Sequence, residues 1–205
     1  MYMGIAILPA RIGPRDHGKP MTLAAFDASD FQEGYKYELI DGRVDVTYLP
    51  ELPEDWIENW LYPKLYTYAV KHPNIINYLT RKARVFIPGR KRVTVPEPDL
   101  AAYRSFPTHL AVSELRWRRV SPILVAEIMS RHDPKKDLVR NVELYLQVPT
   151  IKEYWLLDGR ADPDHPTMRV HRRHGPRWRI KDLAFGDIYT TSLLPGFKLL
   201  FDPRS

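Results

Sequence analysis

Cysteine is absent from the 205 residues, which excludes disulfides, thiolate metal sites and a cysteine nucleophile together. No uninterrupted apolar run reaches the roughly 18 residues that a membrane-spanning helix needs. The N-terminal apolar patch has no basic residue ahead of it and no small-residue cleavage pattern behind it, so a secretory signal is not expected. A cytoplasmic location is the expectation that follows. A nucleophile-elbow serine, a phosphate-cradling glycine loop and an internal repeat are also missing. The seven histidines show no metal-ligand spacing. What is present is an ordinary globular composition, 44% hydrophobic and 27% charged, in a chain long enough to bury a core.

Positive charge is in excess, +6 at neutral pH, and it is clustered. Basic runs occupy residues 81–84, 89–92 and 116–119, with a later group at Arg169, residues 171–174 and residues 177–179. Solvated loops and strand edges explain such runs, and so does a surface that tracks phosphates. In the run Arg116-Trp117-Arg118-Arg119 the tryptophan is either a base-stacking platform between phosphate contacts or a loop anchor to the core. His171 and His174 read as part of a basic hairpin face.

Strands and helices alternate along the chain. Residues 1–20 show no periodicity and read as a loose N-terminal arm, with residues 21–205 as a single domain. Residues 21–28 suggest a short helix with Thr22 as N-cap. Residues 36–40 and 44–48 are strands around Asp41-Gly42, a hairpin turn pair. Residues 54–71 form the longest helical pattern, with Trp56, Trp60, Leu61, Leu65, Tyr68 and Ala69 at helical spacing. Strands are expected at 84–87 and 98–103, and a short helix at 109–115. Residues 122–129 are an almost unbroken apolar run, the pattern of a strand covered on both faces. A helix at 135–147 and a strand at 152–157 follow, an order that suggests a crossover with parallel pairing. Residues 170–174 and 178–183 flank Gly175-Pro176 as a C-terminal hairpin.

Glu127 is the anomaly in the apolar run. A carboxylate on a doubly covered strand loses several kcal/mol of hydration unless something compensates. A strand end reaching solvent, an arginine partner or a cation would each do so. Asp99 follows prolines that stiffen the approach to a neighbouring strand. Two acids on adjacent strand ends can share a hard cation such as Mg²⁺, which takes oxygen ligands and keeps water. Leu138, Asn141, Val142 and Tyr145 share a helical face, so Asn141 is a polar residue in an apolar stripe, pointing either at those acids or at backbone groups. His132, in the loop after Glu127, is close in sequence to the acids without a clear role.

Taken in order, Tyr37-Glu38-Leu39-Ile40-Asp41-Gly42, Pro98-Asp99, Val125-Ala126-Glu127-Ile128-Met129-Ser130, Asp137, Glu143-Leu144-Tyr145, Glu153-Tyr154-Trp155-Leu156-Leu157-Asp158 and Pro195-Gly196-Phe197 resemble the Uma-two family of restriction-endonuclease-like proteins, within the PD-(D/E)XK nuclease superfamily. The resemblance spans residues 21–201. It implies an α/β fold, with a restriction-endonuclease-like mixed central β-sheet flanked by helices. It also implies a Mg²⁺-dependent phosphodiesterase site, with Mn²⁺ a possible substitute. Carried over by position, Glu38 matches an early acid, Asp99 the aspartate of the PD element and Glu127 the next acid. The superfamily's lysine position holds Met129, and the position in the next helix where this family commonly places a lysine holds Asn141.

The expected function is therefore a metal-dependent endonuclease. Asp99 and Glu127 would hold the metal, Glu38 would assist as ligand or base, and Asn141 would stand at the lysine position. Arg116, Arg118, Arg119, Lys135, Lys136 and Arg140 are candidate nucleic-acid contacts. Arg140 is offset from Asn141 by about 100° on a regular helix. DNA is the expected partner, no membrane is involved, and a homodimer would suit cutting both strands. The alternative is a non-catalytic nucleic-acid-binding or assembly module on the same fold, since asparagine hydrogen-bonds but carries no charge. A phosphohydrolase acting on a small molecule is a third reading, marked by a narrow closed pocket.

Overall fold

The computed structural model describes residues 10–132 and 134–205; residues 1–9 of the expected arm lie outside the described residues. The chain divides into two compact units, Met1–Leu49 with Arg90–Val95, and Pro50–Gly89 with Pro96–Ser205.

The first unit contains β1 (Arg11–Ile12), α1 (Leu23–Asp27), β2 (Asp30–Phe31), β3 (Tyr35–Ile40) and β4 (Arg43–Tyr48). The β3–β4 hairpin closes through Asp41 and Gly42, both at positive φ (50° and 67°), the backbone that matches the twist of the flanking strands. Thr22 caps α1 by accepting from the Ala25 amide at 3.2 Å. Residues 11–20 are tied in rather than loose: β1 pairs with β2 in parallel, and Pro20 bridges to Arg43. Ile12, Phe26, Tyr37, Leu39 and Val44 make this unit's own small core.

The second unit is built on α2 (Leu52–Lys71), β5 (Tyr78–Thr80), β6 (Leu100–Tyr103), β7 (Leu124–Ile128), α3 (Asn141–Leu146), β8 (Glu153–Asp158), β9 (Thr167–His174), β10 (Arg177–Leu183), β11 (Ile188–Thr190) and β12 (Lys198–Leu200). Six of these strands form a mixed sheet in the order β10-β9-β8-β7-β6-β5. The β7–β8 pair is parallel, as the strand–helix–strand order implies, and its neighbours are antiparallel. Period-two alternation sends Leu100, Ala102, Leu124, Ala126, Ile128, Trp155 and Leu157 to one face, where α2 supplies Ile57, Trp60, Leu61, Leu65 and Tyr68. Glu127 and Tyr154 alternate with those residues and so belong to the other face, the one that α3 serves. Trp56 is the exception to the α2 stripe. It is 57% exposed, and its indole N–H donates to the Pro203 carbonyl at 2.9 Å.

Several sequence expectations change in detail. Residues 84–87 are extended but unladdered, with a backbone bond from Val85 to the Pro96 carbonyl. Residues 109–115 hold only a 3₁₀ turn at Val112–Glu114. The helix expected over 135–147 contains a π-helical turn, Lys136–Arg140, directly before α3. That wider turn shifts the helical phase, so Asp137, Asn141, Leu144 and Tyr145 are buried while Leu138 and Val139 are exposed. No helix among the described residues is long and apolar enough to cross a membrane.

The C-terminal hairpin is less of a charged face than its sequence suggests. The Arg173 guanidinium donates to the carbonyls of Tyr145, Leu146 and Val148 at 2.9–3.1 Å. It thereby satisfies carbonyls that the end of α3 would otherwise orphan. His171 is buried and stacked on Tyr154, with ring centroids 5.3 Å apart. Burial, followed by the Arg169 charge, lowers its pKa, so it is not part of a basic surface.

Candidate functional site

Asp99 stands one residue before β6, and Glu127 lies within β7. Because β6 and β7 pair antiparallel with Leu100 opposite Ala126, the two acids meet at one end of the ladder. Each carboxylate binds backbone beside the other. The Ile128 amide donates to Asp99 Oδ2 at 2.8 Å, and the Asp99 amide donates to Glu127 Oε2 at 3.3 Å. The prolines before Asp99 fix the extended approach that makes this exchange possible.

The second oxygen of Glu127 is held from the helical side. Tyr145 donates its hydroxyl to Glu127 Oε1 at 2.7 Å, and Asn141 Nδ2 donates to the same atom at 3.0 Å. The Asn141 amide also donates to Asp137 Oδ1 at 3.0 Å. Arg140 Nε in turn donates to Asn141 Oδ1 at 3.2 Å. Glu127, Asp137, Asn141 and Tyr145 are all buried, whereas Asp99 and Arg140 keep partial exposure. Those two members therefore border the solvent side of the cluster.

Tyr154 reports the electrostatics. Its hydroxyl donates to the Asp137 carbonyl at 3.0 Å. Its pKa is pushed well above the ordinary value, first by complete burial and then by the charges of Asp137, Glu127 and Asp99. Three acids thus act together on this one hydroxyl, with Arg140 opposing them. Among the described residues no group of three or more His, Cys, Asp or Glu side chains is arranged to hold a metal. The two acids that the ladder brings together are Asp99 and Glu127. That fits Mg²⁺, which commonly takes one or two carboxylates and fills its remaining positions with water and substrate phosphate.

Asp99, Glu127, Asn141 and Arg140 are brought together. Glu38 is buried in the first unit, on β3 opposite Asp45. Lys136, which could have been a solvated first-turn charge, is only 8% exposed, while Lys135 is exposed. Arg116, Arg118 and Arg119 are exposed around a 3₁₀ turn; Arg118 lies over the Phe86 ring at 5.2 Å. Trp117 is half-buried against Tyr103 and Phe106, which favours the anchor over the stacking platform. His132 faces Glu51 at 3.8 Å on the surface. Asp137 entered the sequence reading only through the resemblance, and Tyr145 was placed on the helical face of Asn141 without a role at the acids. The spacing Asp137–Asn141–Tyr145, four residues each way, was the available signal.

Comparison with known proteins bears on the family and the fold. A model of the family Uma2, described as "Putative restriction endonuclease", matches residues 23–202. A solved structure titled as a "putative nuclease belonging to DUF820", from Anabaena variabilis, superposes with a TM-score of 0.65. It is 17% identical, with 90% of this chain and 96% of that one covered. At that identity the likeness speaks for the fold. No curated protein matches the chain.

Proposed function

The chain belongs to the Uma2 family of restriction-endonuclease-like proteins, and from that premise we propose that it is a metal-dependent endonuclease that hydrolyses DNA phosphodiester bonds. The observation that carries the reading is the joined pair of carboxylates, Asp99 and Glu127, in a buried cluster with a third acid, Asp137. Like charges gathered at low dielectric repel, and a cation offsets that repulsion. Asp99 and Glu127 would hold Mg²⁺, or Mn²⁺ in its place. Such an ion supplies Lewis acidity toward a phosphate oxygen and makes water a better nucleophile.

The chain's own groups do the positioning. Tyr145 and Asn141 fix the Glu127 carboxylate in one rotamer by two donors on one oxygen, so its remaining lone pairs keep a set direction. The Ile128 amide does the same for Asp99. Partial exposure of Asp99 and Arg140 gives the phosphodiester its side of approach. Exposed Arg116, Arg118, Arg119 and Lys135 would track phosphates further along the strand. Glu38 keeps the role of ligand or base that the resemblance assigns to it. A homodimer working in the cytoplasm would suit cleavage of both strands.

The test is cleavage of supercoiled plasmid and of single-stranded DNA with Mg²⁺ or Mn²⁺, by the natural chain and by Asp99→Asn, Glu127→Gln and Glu38→Gln. Metal-dependent nicking that disappears in the first two variants is the expected result. Folded natural protein that neither cleaves nor binds the ions would end the reading. The satisfied state of Glu127 keeps one alternative in play, a non-catalytic nucleic-acid-binding or assembly module. Salt-dependent DNA binding that survives both Asp99→Ala and Glu127→Ala, without turnover, would favour it.

A further inference from the structure

The π-helical turn is where this chain departs from regular helix, and it sits directly against the acidic cluster. The Asn141 amide N–H bonds back to the Lys136 carbonyl, five residues earlier. Such turns are rare, cost hydrogen-bond geometry and occur disproportionately at functional sites. On a regular helix, neighbouring side chains stand about 100° apart, so residues 140 and 141 would not serve the same spot. The two side chains are nevertheless joined here, with Arg140 Nε donating to the Asn141 side-chain oxygen at 3.2 Å. The amide of the same Asn141 spans Glu127 and Asp137. Arg140's charge is also felt deeper in the cluster, where it partly opposes the rise in the Tyr154 pKa.

A phosphodiester at this site brings negative charge toward three carboxylates. Displacement at phosphorus then spreads more charge onto the non-bridging and leaving oxygens. Asn141 is neutral and cannot answer that charge. A guanidinium can, because it stays protonated and presents planar donors that match phosphate oxygens.

We propose that Arg140 is the cation that grips the scissile phosphate, set in place by the π-helical turn and aimed by Asn141. This deepens the nuclease reading and rests on it. Asn141 is then a positioning residue with two duties. Its amide nitrogen steadies the acids, and its oxygen holds one edge of the guanidinium.

The experiment compares the natural chain with Arg140→Ala, Lys136→Ala, Asn141→Lys and the double variant Asn141→Lys/Arg140→Ala, each checked for folding by thermal unfolding. Two readouts are taken. One is single-turnover cleavage with Mn²⁺; the other is DNA affinity against salt without any divalent ion. Arg140→Ala is expected to slow cleavage by about 10²–10³-fold, the usual loss for one transition-state donor. It should also lower the slope of log affinity against log salt by about one. The double variant, with a permanent cation at position 141, should recover at least about tenfold of the lost rate.

Cleavage by Arg140→Ala at the natural rate with an unchanged salt slope overturns the assignment and leaves the nuclease reading standing. So does a result in which Lys136→Ala alone shows both losses. An inactive natural chain that becomes active as Asn141→Lys overturns it too, because Arg140 would then not supply the working charge. If neither chain cleaves, the nuclease reading fails and the proposal falls with it.

Discussion

Glu127 and Glu153 are both buried glutamates on neighbouring, parallel strands, and their surroundings differ in kind. Glu153 accepts from the Trp155 indole at 2.8 Å, the Tyr189 hydroxyl at 2.9 Å and the Thr191 hydroxyl. It also pairs with the Arg172 guanidinium at 3.2 Å. That carboxylate meets neutral donors and one direct counter-charge. Glu127 accepts from the neutral donors Tyr145 and Asn141 as well, but it stands beside two further acids, Asp99 and Asp137. The first arrangement closes a structural knot. The second gathers three acids in one place, an arrangement useful to a site that recruits a cation.

The contrast can be broken most forcefully by neutralising each glutamate in turn. Glu127→Gln should cut cleavage by roughly 10²–10³-fold or more, the scale for losing a transition-state stabiliser. It should leave the unfolding midpoint equal to or above that of the natural chain, since it relieves like-charge repulsion. Glu153→Gln should do the reverse. It should cost about 1–3 kcal/mol in urea unfolding, the penalty for spoiling buried charged hydrogen bonds, with the cleavage rate nearly unchanged. Equal behaviour of the two variants in both assays would erase the distinction.

Cation linkage sharpens it next. An ion that binds only the folded chain stabilises by about 2.7 kcal/mol at a hundredfold excess over its dissociation constant. Mn²⁺ should therefore raise the unfolding midpoint of the natural chain and of Glu153→Gln, and leave Asp99→Asn unmoved. A midpoint rise in Asp99→Asn as large as that of the natural chain would place the ion elsewhere.

Smaller effects mark the borders of the two regions. Burial holds the folded pKa of His171 below its unfolded value, which is about 6.5. The unfolded chain therefore takes up the proton first, and stability falls as pH drops from about 6.5 toward the folded value. His171→Gln should flatten that acid-side slope in unfolding measured between pH 7 and pH 5. Thr22→Ala, far in sequence from either glutamate, removes the α1 cap. It should cost about 1 kcal/mol and leave cleavage within twofold in the plasmid assay.

Sequence alone revealed whichever features have a local cause. Asp41-Gly42 announces its hairpin because only a few residue pairs tolerate positive φ at both positions. The apolar run around Glu127 announces a covered strand, and the carboxylate inside it announces a compensated charge. The three-residue strands β5, β11 and β12 passed unnoticed because they exist through partners distant in the chain, not through their own pattern. Residues 84–87 have strand-like composition but gain no ladder partner. The π-helical turn was invisible for a different reason: a helical periodicity assumes 3.6 residues per turn, and one wider turn changes which residues face inward. Leu138 thereby left the buried face that its spacing predicted, and Asp137 took a place on it. Arg172 and Arg173 looked like surface charge because basic runs do not reveal buried partners; one is tied to Glu153 and the other to the end of α3.

The most direct measurement is the uptake of Mn²⁺, followed by the loss of its free-ion electron paramagnetic resonance signal, in the natural chain, Glu127→Gln and Glu153→Gln. The account predicts that the natural chain and Glu153→Gln bind the ion alike and that Glu127→Gln loses that binding. Undiminished binding in Glu127→Gln, or none in the natural chain, would contradict it.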